Sequence, residues 1–108
     1  MADPSRPEGG ETVAVPKTGS ETRTRLPDLY RVLLHNDDYT TQEFVDFVLV
    51  NVFNHDAETA HRIMLNVHMR GVGVAGIYPW EIAETKAARA TTLAREREYP
   101  LLITIEPE

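Results

Sequence analysis

The 108-residue chain contains no cysteine. That absence excludes a disulfide framework, a thiolate metal centre and a cysteine nucleophile. Serine is scarce as well: Ser5 and Ser20 are the only two, and both fall in a stretch whose composition opposes folding. Serine-based catalysis therefore has no candidate in the folded part. No run of about 18 apolar residues occurs, so no helix is expected to span a bilayer. Basic residues are outnumbered, 11 against 17 acidic ones, and the formal net charge is -6 with neutral histidines. A chain of that sign has no general attraction for phosphate backbones, which argues against a nucleic-acid partner. The start, Met1-Ala2-Asp3-Pro4, carries neither the basic flank nor the apolar stretch of a secretory leader, so a cytoplasmic protein is expected.

What is present divides unevenly. Residues 1–28 hold four of the seven prolines, three of the six glycines and both serines. Apart from Val13-Ala14-Val15 their apolar residues form no run, and five acids against four bases almost cancel. Such a segment buries too little apolar surface to offset chain entropy, so 1–28 is expected to be a disordered arm. A solvated leader with no role is the plain alternative. One folded domain, 29–108, follows.

Within that domain Leu29–Leu34 is short, apolar and bounded by polar residues, as a strand would be. A turn, His35 to Tyr39, precedes a helix start, where Thr40 and Glu43 stand at capping-box spacing. Phe44, Val45, Val48, Leu49, Val52 and Phe53 then recur at helical spacing and predict a core-facing stripe. Asp56 can cap a second helix, on which Ala60, Ile63, Met64, Val67 and His68 share a face and which Gly71 ends. Val72–Ile77 reads as a glycine-rich strand or turn, and Pro79 suits the first turn of a third helix running to about Glu98. Ala83, Ala87, Ala90 and Ala94 give that helix a small-residue face, and Leu101–Glu106 forms a last strand. The expected order is β-α-α-β-α-β: a small α+β sandwich, three helices over one face of a mainly antiparallel three-stranded sheet.

The run Gly71-Val72-Gly73-Val74-Ala75-Gly76 matches G-x-G-x-x-G by letter. A dinucleotide loop must lie between a strand and a helix within a βαβ unit. Here a helix precedes it, and the glycines are better read as a helix stop followed by a twisted strand.

Two features are harder to assign to scaffold. Asn36-Asp37-Asp38 puts three acceptor-bearing side chains between a strand and a helix, although such residues also simply favour turns. His68 falls on the apolar stripe of the second helix, where an ordinary core histidine is the competing reading. If that helix packs near the turn, Asn36, Asp38 and a neutral His68 converge as acceptors for one small cation. An ammonium group, with one charge and three donors, matches them. Met64 and Val67 would line an apolar hole beside it, and methionine adapts to several large side chains. An amine-reading rim above an apolar hole describes a site for the first residue of a polypeptide.

The run from Tyr30 to Thr40 (YRVLLHNDDYT), then Met64 to Val67, His68 and Gly71, closely resembles the ClpS family. Ala83-Glu84-Thr85-Lys86 and the run Tyr99 to Glu106 extend the resemblance over residues 29 to 108. It implies a non-enzymatic, cofactor-free, monomeric adaptor of the N-degron pathway. Such an adaptor binds substrates with an N-terminal Leu, Phe, Tyr or Trp. It delivers them to a AAA+ unfoldase, ClpA or ClpC, which feeds the ClpP peptidase. Position by position, the resemblance gives Asn36, Asp38 and His68 the substrate α-amino group. It gives Asp37 and Thr40 the rim, and Val45, Met64, Val67 and Leu101 the pocket. Glu81, Glu84 and Lys86 match the unfoldase-docking region, where a solvated helix face is the alternative, and the arm matches an extension engaged during hand-over. Two positions depart from the family pattern: Gln42 replaces a usual gate methionine, and Thr41 a usual proline. A polar gate predicts shifted preference among large N-terminal residues, with Ile and Val the ones to watch.

Three rival readings remain open at this point. A metal-dependent hydrolase would use His35, Asp37, Asp38, His61 and His68, but His61 and His68 lack the i, i+4 spacing of strong zinc helices. A general interaction domain would use its helices alone. A divergent relative would dock on the unfoldase with altered or no N-degron selectivity.

Overall fold

The computed structural model describes residues 25–108, so all but the last four residues of the expected arm lie outside the described residues. Three strands and three helices are found there: β1 (Leu29–His35), α1 (Gln42–Asn51), α2 (Ala57–Arg70), β2 (Val72–Pro79), α3 (Trp80–Glu96) and β3 (Leu102–Pro107). β1 is central, with β2 and β3 antiparallel on its two sides. The expected element order is observed.

Alternation in β1 sends Val32 and Leu34 inward, both fully buried, while Arg31, Leu33 and His35 face the other way. Opposite them the register slips: Val32 pairs with Gly76 but Leu33 with Val74, leaving Ala75 as a bulge residue. Ala75 is buried, and its carbonyl hydrogen-bonds the His55 ring at 2.5 Å.

The first helix begins one residue later than the capping-box spacing implies. Thr41 is its N-cap, its hydroxyl accepting from the Phe44 N–H at 3.1 Å. Thr40 instead belongs to the preceding turn, where its hydroxyl donates to Asp37 Oδ2 at 2.8 Å. Asp56 caps α2 as expected, accepting from the Thr59 N–H at 2.7 Å. Gly71 stops α2 in the left-handed region at φ 89°, where a side chain would be strained. Pro79 is the N-cap of α3 rather than a first-turn residue, and α3 ends at Glu96, two residues early, before Glu98 turns to φ 62°.

The alanine face of α3 is buried and lets the helix lie close on the sheet. Phe44, Val45, Val48 and Leu49 of α1, Ala60, Met64 and Val67 of α2, Val32, Leu34 and Leu101 complete one core. Each such aliphatic side chain contributes about 1.5–3 kcal/mol by leaving water.

Candidate functional site

The turn after β1 is held from three directions. The Asn36 N–H donates to the Gly71 carbonyl at 2.9 Å, joining the end of β1 to the end of α2. Immediately before it, His35 pairs with Val72, so the sheet itself brings these two chain segments together. The Asp37 carboxylate then accepts from the N–H groups of Tyr39 (2.8 Å) and Thr40 (2.7 Å) and from the Thr40 hydroxyl (2.8 Å). Partial burial alone would raise the Asp37 pKa. The two backbone N–H groups, the Thr40 hydroxyl and the positive charge of Arg95 outweigh it and hold the carboxyl below its usual 3.8. Asp37 is therefore an anion that organises the turn.

This turn, the start of α1 and the last turns of α2 enclose a cavity of about 240 Å³. Asn36, Asp37, Asp38, Thr40, Gln42, Val45, Met64, Val67 and His68 line it. Asn36, Asp38 and His68 are exposed, whereas Val45, Met64 and Val67 are buried at 6%, 2% and 2%. The cavity thus has a wet rim of acceptors and a dry apolar floor. The alternative of a core histidine at His68 does not hold: its helix position turns it to the rim while Met64 and Val67 face inward. Leu101, named with the pocket by family resemblance, sits in the core at 1% exposure and is not on the cavity wall.

Gln42 is exposed at the cavity mouth as the first residue of α1. The neighbouring departure, Thr41, has a structural use: proline there could not cap the helix through a side-chain hydroxyl. The histidines of the hydrolase reading are dispersed, with His35 bonded to the Thr104 hydroxyl at 2.8 Å and His61 beside Asp46 at 3.4 Å.

The α3 residues lie elsewhere. Glu81 and Lys86 line a second cavity of about 420 Å³ with Val52, Ile82, Thr85 and Arg89, while Glu84 is exposed and outside that lining. Lys86 also has a structural task. Its ammonium donates to the Val52 carbonyl at 2.7 Å and to Asn54 Oδ1 at 2.8 Å, closing the end of α1.

Two supports of the site are not connected to it by sequence: Gly73, there only one of several glycines that allow close approach or positive φ, and Arg95. Gly73 packs so tightly against α2 that a Cβ there would stand 2.7 Å from Val67 Cγ2. Its place in a glycine-rich strand is the signal for such close approach. Arg95 ties down the chain after α3 by donating to the carbonyls of Tyr99 (2.8 Å) and Leu101 (3.0 Å), and its charge acts on Asp37. Nothing local to Arg95 announces that role.

Chemically, the cavity can seat one apolar side chain with a cation at its mouth. The family model for the ATP-dependent Clp protease adaptor protein ClpS matches residues 25–104. An ATP-dependent Clp protease adapter protein ClpS from Hyphomonas neptunium is 52% identical over 108 residues, covering 94% of this chain and 92% of the relative. Its counterpart from Caulobacter vibrioides is 47% identical over 106 residues, covering 95% and 97%. Among solved structures, Agrobacterium tumefaciens ClpS2 bound to L-phenylalaninamide is similar with a TM-score of 0.74 and 47% identity, covering 77% of this chain and 100% of that one. The chain belongs to the ClpS family of ATP-dependent Clp protease adaptor proteins.

Proposed function

We propose that this protein is the N-degron reader of a Clp protease. It binds polypeptides through a free N-terminal Leu, Phe, Tyr or Trp and hands them to a AAA+ unfoldase, ClpA or ClpC, for degradation by ClpP. The observation that carries this reading is the division of one small cavity into an acceptor rim and an apolar floor. The relative that binds L-phenylalaninamide supports it. That ligand is chemically an N-terminal phenylalanine, with a free amine, a benzyl side chain and a carboxyl closed as an amide.

In this reading Asn36, Asp38 and His68 receive the ammonium, and Asp37 and Thr40 keep the rim in shape. Val45, Met64 and Val67 receive the side chain, whose burial supplies about 1.5–3 kcal/mol. Charge-assisted hydrogen bonds to the amine add about 1.5–3 kcal/mol and supply the demand for a free N-terminus. Glu81, Glu84 and Lys86 provide the unfoldase contact. The protein acts as a cytoplasmic monomer and performs no chemistry of its own.

Fluorescent peptides identical except at the first residue test the reading by anisotropy: Phe, Leu, Trp, Ile, Arg, Met and N-acetyl-Phe. Phe, Leu and Trp should bind. Acetylation removes the charge and two donors and leaves the rim acceptors unpaired, so N-acetyl-Phe should bind at least ~100-fold more weakly. Equal binding of Phe and N-acetyl-Phe peptides would refute an amine-reading site.

A further inference from the structure

Away from the N-terminal-residue cavity, the corner where β1, β3 and the start of α3 meet carries an aromatic groove. One part, about 430 Å³, is lined by Pro27, Asp28, Tyr30, Pro79, Trp80, Glu81 and Ile82. Its continuation, about 410 Å³, shares Pro27, Asp28 and Tyr30 and adds Leu29, Pro107 and Glu108. Tyr30 and Trp80 meet edge to face with ring centroids 5.2 Å apart. Trp80 and Ile82 are nevertheless each 46% exposed and Leu29 40%. Prolines flanking a rigid aromatic pair suit an extended peptide, because such rings take apolar side chains or a polyproline-type backbone without first having to be ordered.

The electrostatics of the groove are one-sided. Asp28, Glu81 and Glu108 line it, and among the described residues no basic one does. Arg31 reaches the Pro107 carbonyl at 3.4 Å but is paired with Glu106 at 3.0 Å. The fitting ligand is therefore an extended apolar segment ending in a cation. One such segment belongs to this chain. Residues 1–24 contain a single apolar triplet, Val13-Ala14-Val15, and it is followed at once by Pro16 and Lys17. The described chain begins at residue 25, and Pro27 and Asp28 are themselves part of the groove wall. Nine residues separate Lys17 from Pro27, and the ten steps between them span about 33 Å when extended, so a return onto the groove is within reach. A tether that short supplies an effective concentration of order millimolar, at which even a weak segment fills its site.

We propose that Val13-Ala14-Val15-Pro16-Lys17 docks in cis on the Tyr30–Trp80 groove, with Lys17 facing the Asp28, Glu81 and Glu108 carboxylates. The docked arm covers a corner that includes Glu81 and Ile82, residues that also line the second cavity on α3.

Trp80 is the only tryptophan, so the groove reports its own occupancy. The full chain is compared with its Val13→Asp/Val15→Asp and Lys17→Glu variants by emission maximum and acrylamide quenching, with thermal melting to verify an intact core. Docking predicts red-shifted emission and about twofold stronger quenching in the double variant. It predicts a smaller change in Lys17→Glu that disappears at high salt. Quenching identical in parent and double variant would overturn the proposal and leave the groove to a partner in trans. Protection that grows with protein concentration between about 1 and 100 µM would overturn the intramolecular assignment in favour of a second copy.

Discussion

Gly73 offers the most direct mechanical test of the cavity floor. Replacing it with alanine places a methyl 2.7 Å from Val67 Cγ2, where ordinary contact begins at 3.4 Å. Something must move by about 0.7 Å. The backbone of α2 blocks one retreat, since Val67 N and Cα already lie 3.5 and 3.6 Å from the new atom. The open side of Val67 is the cavity it lines, so its side chain is driven there. Overpacking of this kind costs about 1–3 kcal/mol, and losing a strand glycine returns about 0.5–1 kcal/mol. A net loss near 1 kcal/mol lowers Tm by about 4–8 °C for a domain of this size. Binding should change unevenly. A floor raised by roughly one methyl hinders Trp and Phe more than Leu, and a tenfold fall for the aromatics corresponds to about 1.4 kcal/mol. Gly71→Ala is the control: nothing lies within 4 Å of its Cβ, but φ is 89°. It should lose about 1–2 kcal/mol of stability through backbone strain with the Trp-to-Leu affinity ratio unchanged. Peptide anisotropy and thermal melting read both variants. A folded Gly73→Ala protein with the parental Trp-to-Leu ratio would refute the view that the β2–α2 contact sets the depth of the pocket.

Three further outcomes follow from individual side chains. Asp37→Ala removes three hydrogen bonds from the turn and should cost about 1–2 kcal/mol at pH 7. Because the folded pKa of Asp37 lies below 3.8, that contribution is present above pH 3.8 and lost as pH falls through the folded value. Urea unfolding of parent and variant should therefore converge in acid, and a gap that persists there would contradict the assignment. Gln42→Met makes the cavity mouth apolar and should change the ranking of Leu, Phe and Ile peptides, whereas identical selectivity would remove Gln42 from the gate. Lys86→Met frees the Val52 carbonyl and Asn54 side chain and should lower stability by about 1–2 kcal/mol, seen on melting. A Tm equal to that of the parent would show that Lys86 serves only partners.

Much of the fold is legible because it obeys local rules. The Asp56 cap, the Gly71 stop and the alanine face of α3 each follow from one residue type at one offset, and all three are observed. The start of α1 is displaced because a side chain has a partner that the local rule ignores. Thr40 satisfies the capping-box spacing, but its hydroxyl is turned into the preceding turn toward Asp37, and Thr41 caps the helix. The bulge at Ala75 is set by cross-strand register, so no pattern within β2 alone could reveal it.

The site divides in the same way. Its chemistry is written in residue types, since an Asn-Asp-Asp turn and a histidine beside methionine and valine already describe acceptors next to an apolar hole. Their convergence is not, because 29 residues lie between Asp38 and His68, and helical periodicity says only that His68 shares a face with Met64 and Val67. What joins the two halves is the antiparallel pairing of His35 with Val72, extended by the bond from the Asn36 N–H to the Gly71 carbonyl. That bond uses main-chain atoms, so it leaves no residue-specific mark. It does impose two requirements that are visible: α2 must stop at once, and the returning strand must pass close to it. Gly71 meets the first through its left-handed φ, and Gly73 meets the second by having no side chain to collide with Val67. Two of the glycines that imitate a nucleotide-binding motif, Gly71 and Gly73, are thus the means by which the rim and the floor of the cavity come to face each other.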